Sequence, residues 1–271
     1  MGRAILAGLI DQQLIKPHDV LICARRSAHV TSERYGVRVA EAHLILEQCE
    51  VVILAIKPQQ IGVASAWVER WEIERLAGST PPPADAESAR PLVISLLAGT
   101  SLDQLRAQFP RHFQLARVMP NLPAQVGHGV TLCCAESSDP QKQQALQRCH
   151  ELFAPLGHVE ELDSEESLHA ATAISGCGPA YLFNLVEALA DAGVHEGLKR
   201  DVALRLAAHT VWGSGMLAAD RHPAILKDQV TSPGGVTIAG VRSLERSGFR
   251  SALIEAVIAA SERSKEMTRQ G

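Results

Sequence analysis

The chain has 271 residues, 46% of them hydrophobic and 21% charged, with a formal charge of -4 and a pI near 6.3. This is a globular composition, long enough for two domains at about 100 to 200 residues each. Its slight acidity advertises no polyanion-binding surface, so no nucleic-acid partner is expected.

Six cysteines, at 23, 49, 133, 134, 149 and 177, show no Cys-x-x-Cys spacing. They fit reduced thiols better than a zinc knuckle or a disulfide framework. No apolar run approaches the roughly 20 residues of a membrane helix, and the opening stretch with Arg3 does not read as a signal peptide. A cytoplasmic protein without membrane contact is expected.

In chain order, "MGRAILAGLI" reads as the inside of a helix. From residue 19 to about 162, short β-branched runs alternate with amphipathic stretches. "DVLICAR", "VRVA", "VVILAIKP", "PLVISLLA", "FQLARVMP" and "GVTLCCA" are predicted strands, with helices between them over 59–76, 101–109 and 140–154. The alternation predicts a doubly wound parallel sheet with helices on both faces. "AGSTPPPADAESARP" interrupts it, and three consecutive prolines predict an exposed loop over 78–90. "ELDSEES" at 161–167 is expected to be a solvated linker and helix cap. Beyond residue 163 only helical periods remain, in "PAYLFNLVEALADAG", "RDVALRLAAHTVWGSGMLAA" and "FRSALIEAVIAASERSKEM". Their apolar residues occupy more than one face, which predicts at least a homodimer.

Several stretches carry chemistry. Arg25, Arg26 and Ser27 follow a strand where a dinucleotide fold meets the adenosine ribose. Arginine there accommodates the 2'-phosphate of NADP, whereas a carboxylate would bind the 2'-hydroxyl of NAD. Lys57 and Pro58 end a buried strand at the carboxyl edge of the sheet, where ligands of such folds gather. "RVMPNLPAQVG" closes a later strand with a rigid loop in which the Asn121 amide could reach a nicotinamide or substrate. Ser232, Pro233, Gly234 and Gly235 interrupt helical sequence just before Thr237. Glycines let successive amides point into one concavity, and a helix N-terminus favours an anion, so a carboxylate site is expected. The eleven histidines form no metal-binding pair, and no metal is expected. Cys177 in "SGCGPA" is read as a small packing residue, not a nucleophile.

Taken together, "AIKPQ", "RVMPNLPAQVGHGVT", "ISGCGPAYLFNLVEALADAGVHEGL" and "LKDQVTSPGGVTIAGVRSLERSGFRSALIEAVIAASERSKEM" resemble the pyrroline-5-carboxylate reductase family, in order from residue 1 to about 267. The resemblance implies an α/β Rossmann-like NADP-binding domain over 1–162, followed by an all-α dimerisation and substrate-binding domain over 163–271. It also implies an intertwined homodimer that often associates further, with the active site at the junction of the domains. The implied reaction is hydride transfer from NADPH, with NADH a weaker donor, to the imine carbon of L-1-pyrroline-5-carboxylate, giving L-proline. Ser232, Gly234, Gly235 and Thr237 match the substrate loop, and the Thr237 hydroxyl is the implied partner of the ring nitrogen. Asp220 stands where relatives often carry Glu. Arg25, Arg26 and Ser27 match the 2'-phosphate region, while Ala55, Lys57, Pro58, Met119, Pro120 and Asn121 match the cofactor walls.

In that family a first strand and a glycine-rich turn run into the first helix. Met1 and Gly2 match the end of that turn, so the strand and the earlier glycines are expected upstream in a start assigned one methionine too late. The strand is central in a 3-2-1-4-5-6 sheet, and its neighbours would otherwise flank an unfilled slot. Two alternatives are a cofactor-deficient dimerising pseudoenzyme and another NAD(P)-dependent dehydrogenase of related fold. The latter would be expected to place a catalytic lysine on a downstream helix, where this sequence has the Ser-Pro-Gly-Gly loop.

Overall fold

The computed structural model describes residues 1–77, 91–136 and 141–270; the proline-rich segment 78–90, expected as a loop, lies outside them. Helix α1 (Gly2–Asp11) leads into β1 (Leu21–Ile22), α2 (Ala28–Tyr35), β2 (Arg38–Val39), α3 (Ala42–Gln48), β3 (Val51–Leu54) and α4 (Val63–Ala77). Next come β4 (Leu92–Ser95), α5 (Leu102–Arg106), β5 (Gln114–Pro120), β6 (Gly129–Ala135), α6 (Lys142–Phe153), β7 (Gly157–Glu161) and α7 (Ser167–Ser175). The chain closes with α8 (Gly178–His195), α9 (Arg200–Asp220), α10 (Pro223–Gln229), α11 (Val236–Arg246) and α12 (Phe249–Gln270). Cα packing divides it into two compact units, Met1–Gly176 with Ser261–Gly271, and Cys177–Ala260. These units and the sequence division at 162 differ by α7 and by the end of α12.

In the first unit the strands run in the order β3-β4-β5-β6-β7, beside a separate parallel pair β1-β2. Every residue of β4 is at most 1% exposed, the pattern of a strand covered on both faces. One face packs Val93, Leu115 and Cys134 under α3, α4, α5 and α7. The other packs Ile94, Val118 and Cys133 under α1 and α6. The adjacent cysteines thus lie in different cores.

The sheet is mixed, which corrects the expected all-parallel arrangement. β6 runs antiparallel to β5, with Val118 opposite Cys133. A parallel return needs a crossover of a dozen or more residues, and the link between Pro120 and Gly129 is too short for one. β7 was not foreseen, because "GHVEE" is polar and lies at the sheet edge, mostly exposed.

The second unit is entirely helical among its described residues. Its α8–α9 seam is built on Ala190, Ala203 and Ala207, with Val186 and Val194 against them. Larger apolar side chains such as Phe183, Leu206, Trp212 and Met216 remain exposed.

Candidate active site

The carboxyl ends of β3, β4 and β5 stand side by side, with Leu54 opposite Ser95 and Ser95 opposite Arg117. Ala55 to Pro58 leave the edge after β3, and Met119 to Asn121 end β5. Gly2 opens α1 against the first of these: a Cβ on it would stand 2.7 Å from Ala55 Cβ, so only glycine lets the helix approach this closely. No side chain caps α1, and its first amides can receive an anion. Lys57 is exposed, and its backbone N–H donates to Gln60 Oε1 at 3.3 Å. Pro58 opens a short 3-10 turn at a position that needs no N–H.

Arg25 and Arg26 are exposed just beyond β1, and Ser27 is the N-cap residue of α2. Neither guanidinium has a hydrogen-bond or ion-pair partner among the described residues. Two uncommitted guanidinium groups with no carboxylate in the turn are the donor set a 2'-phosphate requires. A cavity of about 270 Å³ lies beside Cys23, lined also by His43, Trp67 and Arg70. Its buried His43 ring sits 3.5 Å from Glu41 and 3.2 Å from Glu74, and Arg70 pairs with both carboxylates.

Met119 is half-buried, while Pro120 and Asn121 are buried. The Asn121 side chain accepts from the Val130 N–H at 2.9 Å and donates to the Ser175 carbonyl at 2.9 Å. Its amide therefore braces the loop from within.

One pair behind this wall was missed in the sequence. Arg117, 5% exposed, donates to Glu165 Oε1 at 2.6 Å. The same oxygen accepts from the Leu102 N–H at 2.8 Å, at the start of α5. Glu165 therefore belongs to the packed unit and is not the solvated linker expected of the acidic run. The signal was an arginine inside an otherwise apolar strand, since such a charge is almost never buried unpaired.

In the second unit, Ser232 and Gly235 close a turn through a Gly235 N–H to Ser232 carbonyl bond of 3.1 Å. Gly234 adopts φ 67°, the left-handed conformation glycine favours. A Cβ on Gly235 would overlap Ser232 Oγ, so glycine leaves room for that hydroxyl. The turn delivers the chain into α11, eleven residues long, with Gly235 at its N-cap and no side chain bonded there. The first amides of α11 are left open, with the exposed Thr237 hydroxyl in the first turn. Serine and threonine hydroxyls beside uncapped amides form a receptor for a small carboxylate. Asp220 ends α9, exposed, and among the described residues no hydrogen bond or ion pair joins it to this turn.

Buried thiols elsewhere are poor nucleophiles. Burial pushes Cys133 up to about 12 and Cys134 up to about 11, and raises Cys149 as well. Among the described residues, no cluster of three or more metal-ligating side chains occurs, and no helix is long and apolar enough to cross a membrane.

Comparison with known proteins converges on one family. A family model described as pyrroline-5-carboxylate reductase dimerisation matches residues 165–267. Another, described as NADP oxidoreductase coenzyme F420-dependent, matches residues 1–75. The pyrroline-5-carboxylate reductase of Synechocystis is 42% identical over 272 residues, covering 98% of this chain and 94% of that protein. The structure of a pyrroline-5-carboxylate reductase from Coxiella burnetii aligns with a TM-score of 0.81 at 30% identity, covering 98% of this chain and 94% of the other. A Plasmodium falciparum pyrroline carboxylate reductase with NADP bound aligns with a TM-score of 0.79 at 28% identity, covering 99% and 94%. With a Rossmann-like domain of mixed sheet, a helical dimerisation domain and full-length relatives at this level, the chain belongs to the pyrroline-5-carboxylate reductase family.

Proposed function

We infer that this chain reduces the C=N bond of L-1-pyrroline-5-carboxylate to give L-proline, using a nicotinamide dinucleotide. The observation that carries the substrate half is the uncapped N-terminus of α11 behind the Ser232–Gly235 turn. A ring carboxylate there would accept from the open amides and from Ser232. Thr237 orients or supplies the proton on the ring nitrogen, and a protonated imine is the better electrophile. Asp220 is retained as a substrate-loop neighbour on family grounds alone.

The bound dihydronicotinamide supplies the hydride. Arg25, Arg26 and Ser27 hold the 2'-phosphate, which makes NADPH the preferred donor over NADH. Gly2 and the start of α1 face the pyrophosphate, and Ala55, Lys57, Pro58, Met119, Pro120 and Asn121 form the walls. Functionally, 1–162 serve the cofactor, while 163–271 serve dimerisation and substrate. The exposed apolar side chains of the helical unit support a homodimer, and higher assemblies of that dimer follow from the same family reading. All six cysteines are free thiols, the state a cytoplasm maintains.

The test is oxidation of NADPH that depends on added pyrroline-5-carboxylate. Replacement Thr237→Ala lowers kcat about tenfold to a hundredfold, the weak end of general-acid effects. An unchanged kcat removes Thr237 from the mechanism.

A further inference from the structure

The last turns of α12 leave the helical unit and pack within the nucleotide-binding unit, from Ser261 onward. They are tied to α7 by two side-chain contacts. His169, 7% exposed, places Nδ1 2.9 Å from Ser264 Oγ, and Glu166 Oε1 lies 3.6 Å from Lys265 Nζ. They also lie against the loop after β4. Gly99 there has φ 72°, and a Cβ on it would stand 3.3 Å from Met267 Cβ and 3.5 Å from the Met267 carbonyl group. The backbone conformation favours glycine, and an added Cβ would press on α12.

This loop, Leu96 to Ser101, leaves the sheet edge between the two stretches assigned to the cofactor walls. The parallel register of β3, β4 and β5 puts it between Ala55–Pro58 and Met119–Asn121. A ligand touching both stretches must cross it. Ala98 is exposed there, while Leu97 and Thr100 on either side of the Ala98–Gly99 apex are buried. The far end of the loop is fixed where Ser101 and Gln104 form a capping box and the Leu102 N–H meets Glu165. The apex is met by α12.

We propose that the C-terminal turns of α12 are a positioning element for the cofactor, ordering the backbone of Ala98–Thr100 before the dinucleotide arrives. The proposal rests on the cofactor placement given under Proposed function. Fixing a residue in advance spares the ligand that entropy. The expected gain is about tenfold in affinity, the equivalent of roughly one backbone residue ordered beforehand.

The test compares the full-length protein with the double variant Ser264→Ala/Lys265→Ala, which keeps the helix but removes both side-chain ties. The Kd for NADPH, titrated through the fluorescence of NADPH itself, should rise about tenfold. In cofactor-free protein, amide exchange at Ala98–Thr100 should accelerate by about the same factor. The KM for pyrroline-5-carboxylate should stay within about twofold, and Ser264→Thr/Lys265→Arg should restore both readings. A chain ending at Arg263 should show a larger change in the same direction; if it does not fold, the double variant decides. A role in stability alone would lower the melting temperature and leave Kd unchanged. Unchanged Kd or unchanged loop exchange in the double variant overturns the proposal. If the intact chain binds no NADPH, the cofactor reading has failed, and the exchange rates alone decide whether α12 orders the loop.

Discussion

The turn before α11 can be perturbed at one position without straining its backbone. Gly235 has φ -80° and ψ 178°, extended backbone open to any residue, so alanine fits the main chain. The added Cβ collides with Ser232 Oγ, the end of a single rotor that can swing away, and stands 3.3 Å from the Ser232 carbonyl oxygen, which need give only a few tenths of an ångström. Gly235→Ala should therefore fold normally and displace one hydroxyl. Losing a hydrogen bond to a charged group costs about 1.5 to 3 kcal/mol, which is roughly a tenfold to hundredfold rise in the KM for pyrroline-5-carboxylate. The change in kcat should be small, because the carboxylate is held alike in ground and transition states. Ser232→Ala alone should give the same rise, and Gly235→Ala added to it should cost nothing more. Steady-state NADPH oxidation across the four proteins of this cycle measures the coupling. Additive effects, or a KM unchanged in both single variants, would refute the assignment of Ser232 to the carboxylate.

The other predictions probe the nucleotide-binding unit. Charge-assisted bonds from Arg25 and Arg26 imply a kcat/KM preference for NADPH over NADH of roughly tenfold or more. Replacing both with alanine should bring the ratio close to one, and equal use of both cofactors by the intact chain would contradict the assignment. His169 titrates below its ordinary 6.5, held down first by burial and then by Arg117 and Lys265, against the opposing pull of Glu165 and Glu166. In the acid range the unfolded chain therefore binds a proton that the folded chain resists. Its contribution to stability is complete above 6.5 and is lost as pH falls from there through the lowered folded value. Urea midpoints should fall less steeply for His169→Asn than for the intact chain between about pH 7 and pH 5, and parallel curves would refute this. A thiol reagent should label exposed Cys23 first in the native protein and reach Cys133, Cys134 and Cys149 only on unfolding. Equal rates at all six positions would contradict the burial pattern.

Residue type and spacing carried most of the fold. The β-branched runs became β1 to β6, and the loss of strand signal after 163 marked the helical part. The Ser-Pro-Gly-Gly turn was legible because its glycines answer local backbone demands. What stayed hidden depends on tertiary partners. β7 is polar because it lies at an edge, and the direction of β6 shows only once the short link from Pro120 to Gly129 is taken as a limit on reach. Glu165 looked like any residue of an acidic run until Arg117 was found beneath it. The side-chain bonds of Asn121 to Val130 and Ser175 stayed hidden as well, because they join separate elements. The helical period of α12 likewise gives no sign that its end joins the other unit.

The helical unit's interior, resting on three alanines, has a consequence that reaches beyond structure. In the homodimer proposed above, a unit with so little of its own core would take its remaining apolar burial from the second copy, tying its stability to protein concentration by mass action. Each tenfold dilution would then withdraw about 1.4 kcal/mol from the folded dimer. In a cell, low abundance would itself be a destabilising condition, met first by the helices that carry the Ser232–Gly235 turn.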